Sequence, residues 1–545
     1  MDRTDPLGAT PDLDPRHRRP RHGHAPALWL ALPLAAGCLA SNAGLAPALP
    51  CLALGATAAL AGLLANRRAR AATCLLALAG AALGAAWHGA RAAPRAPWAG
   101  PRTHTAVFVE IERVEGREDG RWWALGRVEQ GPAGTARRRI IAEGRGPAPA
   151  RGSLSVVRGS VRATDPAGPG AGWRRSLGIT LSMGGATLGG EVEAAAAWTR
   201  LMDRAAARLE AALQESWREA GRGERLVAAT MLGRTRLLPG EDKAAFAATG
   251  TLHLFAISGL HIAGMAAMLV RLGDLARVDR RRAAALALAL LAVYVEVTGG
   301  APSARRAWLM AAGILACRLL ERRANPVQGL AAAGALTLLL DPEAAGDAGF
   351  QLSYLSVAGI LLAGSPAARE ATRPASAERL TPPDARRPGN RLAEGMAKGA
   401  KEGLCVSAGA SLAGLGTVVS LFGQMSAGGV LVNVALVPLA SVSLALGMGS
   451  VALTPLAWAD PLRTSLNTAA AMWLEGMADL AGAAAAIPGM AWELEWRHPA
   501  LGDVATLAMM AVLLANAEAE GWSRLLLRPL ALAVGSLLLL ARAGT

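Results

Sequence analysis

Lysine is almost missing from this chain. Lys243, Lys398 and Lys401 are the only three in 545 residues, and none is followed by Ser or Thr. That excludes a Gly-x-x-x-x-Gly-Lys-Ser/Thr loop and the nucleotide-driven motor built around it. Histidine is scarce too, eight in all, and only His498 follows His261. A His-rich dinuclear metal centre cannot be assembled in the second half. Cys38, Cys51, Cys74, Cys317 and Cys405 all sit in or beside apolar stretches, with no pair at metal-ligand spacing. Neither a disulfide framework nor a zinc site is expected. Charge is low as well, at 18% of residues against 52% hydrophobic, which excludes an ordinary soluble protein of this length.

What is present is long apolar blocks. Windows near 27–49, 47–65, 71–90, 244–270, 283–299, 303–320, 348–364, 403–421, 427–457, 465–487 and 500–517 have the length of membrane spans, which need about 20 residues. Segments 326–340 and 523–541 are weaker candidates, the first short and the second carrying Arg524 and Arg528. The net charge of +15 is nearly all arginine. Much of it falls at Arg271–Arg282, Arg318–Arg323 and 365–402, as expected if these connections are cytoplasmic. Arg305 and Arg306 are the exception, at an outer helix end.

The expected architecture is a polytopic α-helical membrane protein, with a small extracytoplasmic OB-like β-barrel domain inserted after the first transmembrane helices. Residues 1–25 read as a disordered basic cytoplasmic tail, and 26–92 as N-terminal transmembrane helices. In 101–190 the period changes. Val107–Val114, Arg121–Val128, Arg138–Ala142, Leu154–Val161 and Leu177–Met183 are short alternating runs broken by Gly and Pro, the pattern of an antiparallel β domain. Five strands in that length suit an OB-like barrel, a fold that often binds nucleic acid. Trp122 and Trp123 beside Arg137, Arg138 and Arg139 make a candidate stacking and phosphate platform. Equally, one tryptophan could fill the core while the arginines coat a solvated hairpin. Residues 191–222 form an amphipathic linking helix, lying on the outer membrane surface or packed on the β domain. Residues 223–545 make up the main transmembrane domain, with 365–402 as a cytoplasmic polar loop.

Within it, Gly250-Thr-Leu-His-Leu-Phe-Ala-Ile-Ser-Gly-Leu-His-Ile-Ala263 carries His253, Ser258 and His261 in an otherwise apolar stretch. Polar groups inside a bilayer are costly and usually face a cavity, a partner or a transport path. As one helix, the run would align Gly250, His253, Ile257, His261 and Gly264 on a single stripe. Three further segments are polar in the same way: Gly300-Ala-Pro-Ser-Ala-Arg-Arg-Ala307, Asp347-Ala-Gly-Phe-Gln-Leu-Ser-Tyr354, and Phe422-Gly-Gln-Met-Ser426 with Asn433 and Pro438 beyond it.

These four segments, in this order, resemble the motifs of the ComEC family of competence proteins, inner-membrane channels for single-stranded DNA in natural transformation. The resemblance covers roughly the last 320 residues. It implies a multi-pass bacterial inner-membrane protein with a cytoplasmic N-terminus, an OB-like domain at this position, and no cofactor. Its partners would be single-stranded DNA, a DNA-receptor protein outside and a helicase or translocase inside. Many members end in a metallo-β-lactamase-like nuclease domain. This chain stops after its last apolar block, so a separate nuclease is expected. Leu232-Gly-Arg-Thr-Arg236 stands where the family has Gly-Asp-Arg, which puts a charge-pairing role there in doubt.

The candidate path residues are His253, Ser258, Gly259, His261, Arg306, Asp347, Gln351, Ser353, Gln424 and Asn433, forming a vestibule that narrows near Ser258–His261. Each also has a plainer use. The histidines could bond neighbouring carbonyls, Arg306 could lock two helices through Asp347, and Gln351, Ser353 and Asn433 could join helices. No catalytic group and no metal ligand is assigned. Two rival readings remain: a carrier of a smaller anionic or lipid-like solute, and a membrane-embedded hydrolase using Ser258 and His261.

Overall fold

The computed structural model describes residues 26–42, 69–91, 98–116, 120–165, 174, 177–215, 221–234, 237–320, 326–372, 388–453, 456–496, 501–502, 505 and 541–543. The 1–25 tail, the 47–65 window and most of 500–517 and 523–541 lie outside the described residues. The chain opens with α1 (Pro26–Asn42) and α2 (Ala69–Arg91). They run side by side in the same direction, since Cys38 Sγ donates to the Gly84 carbonyl (3.3 Å) and Ser41 meets His88 (3.1 Å).

Five strands follow: β1 (Thr103–Gly116), β2 (Arg121–Gln130), β3 (Arg139–Arg145), β4 (Leu154–Ala163) and β5 (Ile179–Glu193). They close into a barrel in the order β1-β2-β3-β5-β4. All contacts are antiparallel except β3 with β5, which is parallel. Closure removes the unpaired edges that a five-stranded sheet would expose. Alternation sends Val107, Val109, Ile111, Trp122, Ala124, Val128, Ile140, Val157, Val161, Leu181 and Met183 inward as one core. The last strand is longer than its apolar run suggests, because it bends through Gly184, Gly185, Gly189 and Gly190 to reach both β3 and β4.

The helical body comprises α3 (Ala197–Glu215), α4 (Arg222–Leu232), α5 (Gly240–Ala248), α6 (Gly259–Leu275), α7 (Arg280–Val297), α8 (Pro302–Leu319), α9 (Pro326–Leu340), α10 (Ala348–Thr372), α11 (Pro388–Phe422), α12 (Gly429–Leu453) and α13 (Asp460–Ala485). Two apolar helices, Gly395–Phe422 within α11 and Gly429–Leu453, have the length and hydropathy of membrane spans. A small sheet of β6 (Gln424–Ser426), β7 (Ala491–Trp496) and β8 (Ala541–Ala543) was not foreseen from the sequence.

From α6 to α11 the direction alternates, and α12 and α13 form a further antiparallel pair. Gly273 abuts Ala283, Gly313 abuts Gly329, Gly359 meets Gly409, Gly414 meets Leu352, and Gly449 meets Leu466. One end of the body therefore carries the starts of α6, α8 and α10. The opposite end collects Arg271–Arg282 and Arg318. The weak candidate 326–340 is helix α9 over nearly the same bounds. The polar loop 365–402 is shorter than expected: α10 continues to Thr372 and α11 begins at Pro388. The linking region is likewise strand to Glu193, and α3 is distinct from α4.

The α10–α11 crossing is so close that a Cβ on Gly359 would fall on the carbonyl oxygen of Gly409. Gly359→Val should cost at least about 1–3 kcal/mol, as overpacking does. Gly395→Ala, on the same pair of elements with open space around it, should be neutral or mildly stabilising through helix propensity. Thermal unfolding midpoints in detergent would separate the two.

Candidate functional site at the barrel end of the helical body

The signature run is not one helix. Gly250 takes φ +69° after α5, Leu252–Leu254 forms a single 3-10 turn, and Ser258 stands as the N-cap residue of α6. The expected 244–270 span and the stripe from Gly250 to Gly264 are thereby corrected. A left-handed glycine and a Ser-Gly pair are poor helix interior, so the chain breaks twice. His253 lies on the turn, its Nδ1 3.0 Å from the Gly250 carbonyl oxygen. It is exposed to solvent while protein crowds around it, as a side chain lining a recess would be. His261 is buried on the first turn of α6. Ser258 Oγ lies 3.2 Å from His261 Nδ1, which also accepts from the Ser258 backbone N–H at 3.5 Å. The other ring nitrogen is buried and has no hydrogen-bond partner among the described residues. Both residues sit at the start of α6, the end of that helix nearer the barrel, and not at mid-helix as expected. Gly259 is exposed.

The polar segments meet in two groups. In one, Arg306 on the first turns of α8 is buried, with Nη1 3.5 Å from Asp347 Oδ2 and Nη2 donating to Ser353 Oγ at 3.2 Å. Asp347 in turn caps the start of α10 by accepting from Gly349 N–H (3.1 Å), and Gln351 Nε2 donates to the Ala345 carbonyl (3.1 Å). In the other, Gly250 packs on Ser426, and Gly429 lies against the Thr249 carbonyl and Ser426. Gln424 pairs in register with Glu493 of β7. Asn433, on the second turn of α12, has a buried Oδ1 with no hydrogen-bond partner among the described residues. Helix α6 lies between the groups, packing on both α8 and α12.

The barrel sits over this end. Glu343, buried in the 3-10 turn Pro342–Gly346 between α9 and α10, receives Arg139 of β3 at 3.2 Å and Arg127 of β2 at 3.7 Å. Arg151 bridges Asp203 of α3 (3.0 Å) and Glu296 of α7 (3.5 Å), and Glu296 also holds Arg305 at 2.9 Å. Arg305, an anomaly by charge alone, is thus part of the barrel seam. Burial opposes the charge on Arg139, but Glu112, Glu343 and Asp341 outweigh it and raise its pKa. Burial pushes the Asp341 carboxyl above the usual carboxylate range, against the pull of Arg139.

The proposed stacking platform is corrected in the same way. Trp122 is 2% exposed inside the barrel core and offers no face to a ligand. Arg138 is buried, its Nε donating to the Gly134 carbonyl (2.6 Å), and Arg139 is engaged with Glu112 and Glu343. Trp123 and Arg137 alone keep outward positions, Arg137 exposed at a φ of +62°. Sequence reasoning missed the opposite end of the β2–β3 ladder. There Arg121 and Arg145 face each other in register, and Trp123 faces Glu143. Gly184 and Gly185 floor the adjoining groove of about 440 Å³. The signal was the pair of arginines bracketing the two strands.

A mainly helical protein with a β domain near its N-terminus, and four polar segments paired into two groups around α6, is the class these features define. The family model described as Competence protein matches residues 230–519, and the chain belongs to that family. ComE operon protein 3 of Bacillus subtilis (strain 168) is 35% identical over 144 residues. The match spans 26% of this chain and 18% of that protein. No solved structure matches.

Proposed function

We propose that this protein is a multi-pass inner-membrane channel that imports single-stranded DNA during natural transformation, the barrel being an extracytoplasmic OB-like domain that guides the strand. The observation that carries the reading is the pairing of the four family segments into two polar groups on either side of α6, with Arg306 and Asp347 beside the turn that holds the barrel. Several features support the membrane placement. The direction alternates from helix to helix, arginine collects at the far end, and α7 exposes Leu286, Leu290 and Val293 at i, i+4 and i+7. Since α1 runs parallel to α2, and Trp87 of α2 reaches the Leu339 carbonyl (3.1 Å) near the barrel, the chain enters α1 from the arginine-rich side. A cytoplasmic N-terminus follows from the positive-inside rule.

The strand order and closure fit an OB-like barrel, whose β2–β3 face and adjoining loops commonly hold oligonucleotides. The groove of Trp123, Arg121 and Arg145 is then the DNA contact, a base stacking on the indole while the arginines meet phosphates. His253, Ser258, Gly259, His261, Gln351, Gln424 and Asn433 border the entrance below it. Neutral donors there would bind a sliding backbone without trapping it. A receptor outside, a helicase or translocase inside and a separate nuclease complete the assembly. Trp123→Ala should weaken single-stranded DNA binding by the full-length protein by roughly 5- to 150-fold, from the ~1–3 kcal/mol that a stacked base contributes. Arg145→Ala should flatten the salt dependence of binding. Fluorescence anisotropy at two salt concentrations reads both.

The function itself is tested by deleting the gene and following transformation together with labelled duplex DNA held outside the inner membrane. Lost transformants with retained external DNA, restored by the wild-type gene, is the expected result. Normal transformation would overturn the channel reading in favour of a solute carrier. The hydrolase alternative gains geometry from the Ser258 Oγ to His261 Nδ1 approach. The far ring nitrogen, however, has no hydrogen-bond partner among the described residues where a catalytic acid would stabilise the imidazolium.

A further inference from the structure

Between Trp98 and Glu215, the described residues expose only three large apolar side chains: Val192, Trp198 and Leu201. They fall within ten residues, at the end of β5 and the first turns of α3. No other large apolar group of the barrel is exposed to this degree, though Phe108, Trp123 and Leu188 are half-buried, so the barrel core gives no reason to leave these three in water. Helix α3 is already packed on its other side. Met202 is buried, Gly152 of the barrel lies against Thr199 and Ala195, and the helix rests on α7. Trp198 is 50% exposed and Leu201 53%. At about 100° per residue, Trp198, Leu201, Arg204 and Arg208 share an arc of about 120°, and all four are exposed.

The position of this arc says what covers it. Arg151 ties Asp203, one turn from Trp198, to Glu296 near the end of α7. That helix carries the exposed Leu286, Leu290 and Val293 stripe toward the same end. A lipid-facing stripe on α7 thus runs up to the helix that holds Trp198 and Leu201. We infer that α3 is a headgroup-level anchor. Trp198 and Leu201 enter the outer leaflet beside α7, while Arg204 and Arg208 meet lipid phosphates, so the bilayer, and no protein partner, covers this face. Tryptophan favours that depth because its ring is apolar and its N–H polar, and the arginine–apolar mixture is that of interfacial helices. The barrel is then held at three points: the Glu343 seam, the Arg151 bridge and the membrane surface. This rests on the membrane-channel reading but goes beyond it, since nothing in DNA import requires a lipid contact here.

The test places a photoreactive benzoylphenylalanine at Trp198, Leu201, Leu290 or Thr187, one at a time, in the full-length protein in native membranes. After irradiation, adducts are identified by mass. Lipid adducts at 198, 201 and 290, with none at Thr187 on the barrel groove, are expected. Lipid adducts at 290 without any at 198 and 201 would overturn the anchor while leaving the membrane reading intact. Protein adducts at 198 or 201 would also overturn it and make this face a partner-docking surface. Absence of lipid at 290 as well would sink the membrane reading and the anchor together.

Discussion

Arg306→Ala lowers the stability of the helical body by about 3–5 kcal/mol, the cost of leaving a buried ion without its partner. The guanidinium is buried where α8 and α10 meet, with Asp347 at 3.5 Å and Ser353 at 3.2 Å. Removing it leaves Asp347 facing apolar surroundings with only the Gly349 N–H to stabilise its charge. Asp347→Ala should cost a similar amount for the mirror-image reason. The double variant, Arg306→Met with Asp347→Ala, should recover at least half of the combined loss, because an apolar pair replaces an ion pair cheaply. Stability and DNA import are then measured on the same membranes. If stability returns in the double variant and import does not, the pair lies on the DNA path as well as between helices. If both return together, Arg306 is a lock alone. Additive losses would mean that the two residues do not interact at all.

The second large effect is at the barrel seam. Glu343→Ala leaves Arg127 without its carboxylate and Arg139 with only Glu112 at 3.4 Å. A loss near 3 kcal/mol is expected, at the lower end for a broken buried pair because Arg139 keeps that second partner. The barrel core is independent of the seam, so hydrogen exchange should speed up in Pro342–Gly346 and the first turns of α10 while β1–β5 stay protected. Unchanged exchange and an unchanged melting midpoint would reduce the seam to a surface ion pair. Asp341 should behave in the opposite way. Its folded-state pKa is raised, chiefly by burial, so it contributes most favourably when protonated. Its contribution falls as pH climbs from the unfolded carboxylate value through the higher folded one. Asp341→Asn, which keeps an oxygen to cap the Glu343 N–H, should therefore be neutral or mildly stabilising at pH 7. The contrast between two acids two residues apart separates a buried, paired carboxylate from an exposed one that neighbouring protein only crowds.

The four polar segments were legible in the sequence because apolar surroundings make any polar residue conspicuous. Their grouping was not. Arg306 with Asp347 was one of two open readings, and the burial of Arg306 beside both Asp347 and Ser353 is a tertiary fact. The break after Gly250 was hidden by hydropathy, which counts apolar residues through 244–270 without registering a glycine at positive φ. Trp122 and Trp123 looked interchangeable, since adjacent strand residues point to opposite faces and only the barrel decides which face is inside. Arg139 read as free charge because Glu343 lies more than 200 residues away along the chain, and Arg138 because its bond is to a backbone carbonyl of its own hairpin, which residue types do not reveal.

By itself the sequence determined the family, the helical character of the body, the presence and order of five strands, and the side of the molecule on which arginine collects. These depend on local period and composition, which survive without any knowledge of contacts. Tertiary structure alone decided barrel closure with the parallel β3–β5 pairing, the docking of Arg127, Arg139 and Arg151 onto the helix ends, and the split of the signature run around Ser258. Each depends on groups distant in sequence meeting in space, where burial and pairing, not propensity, set the free energy.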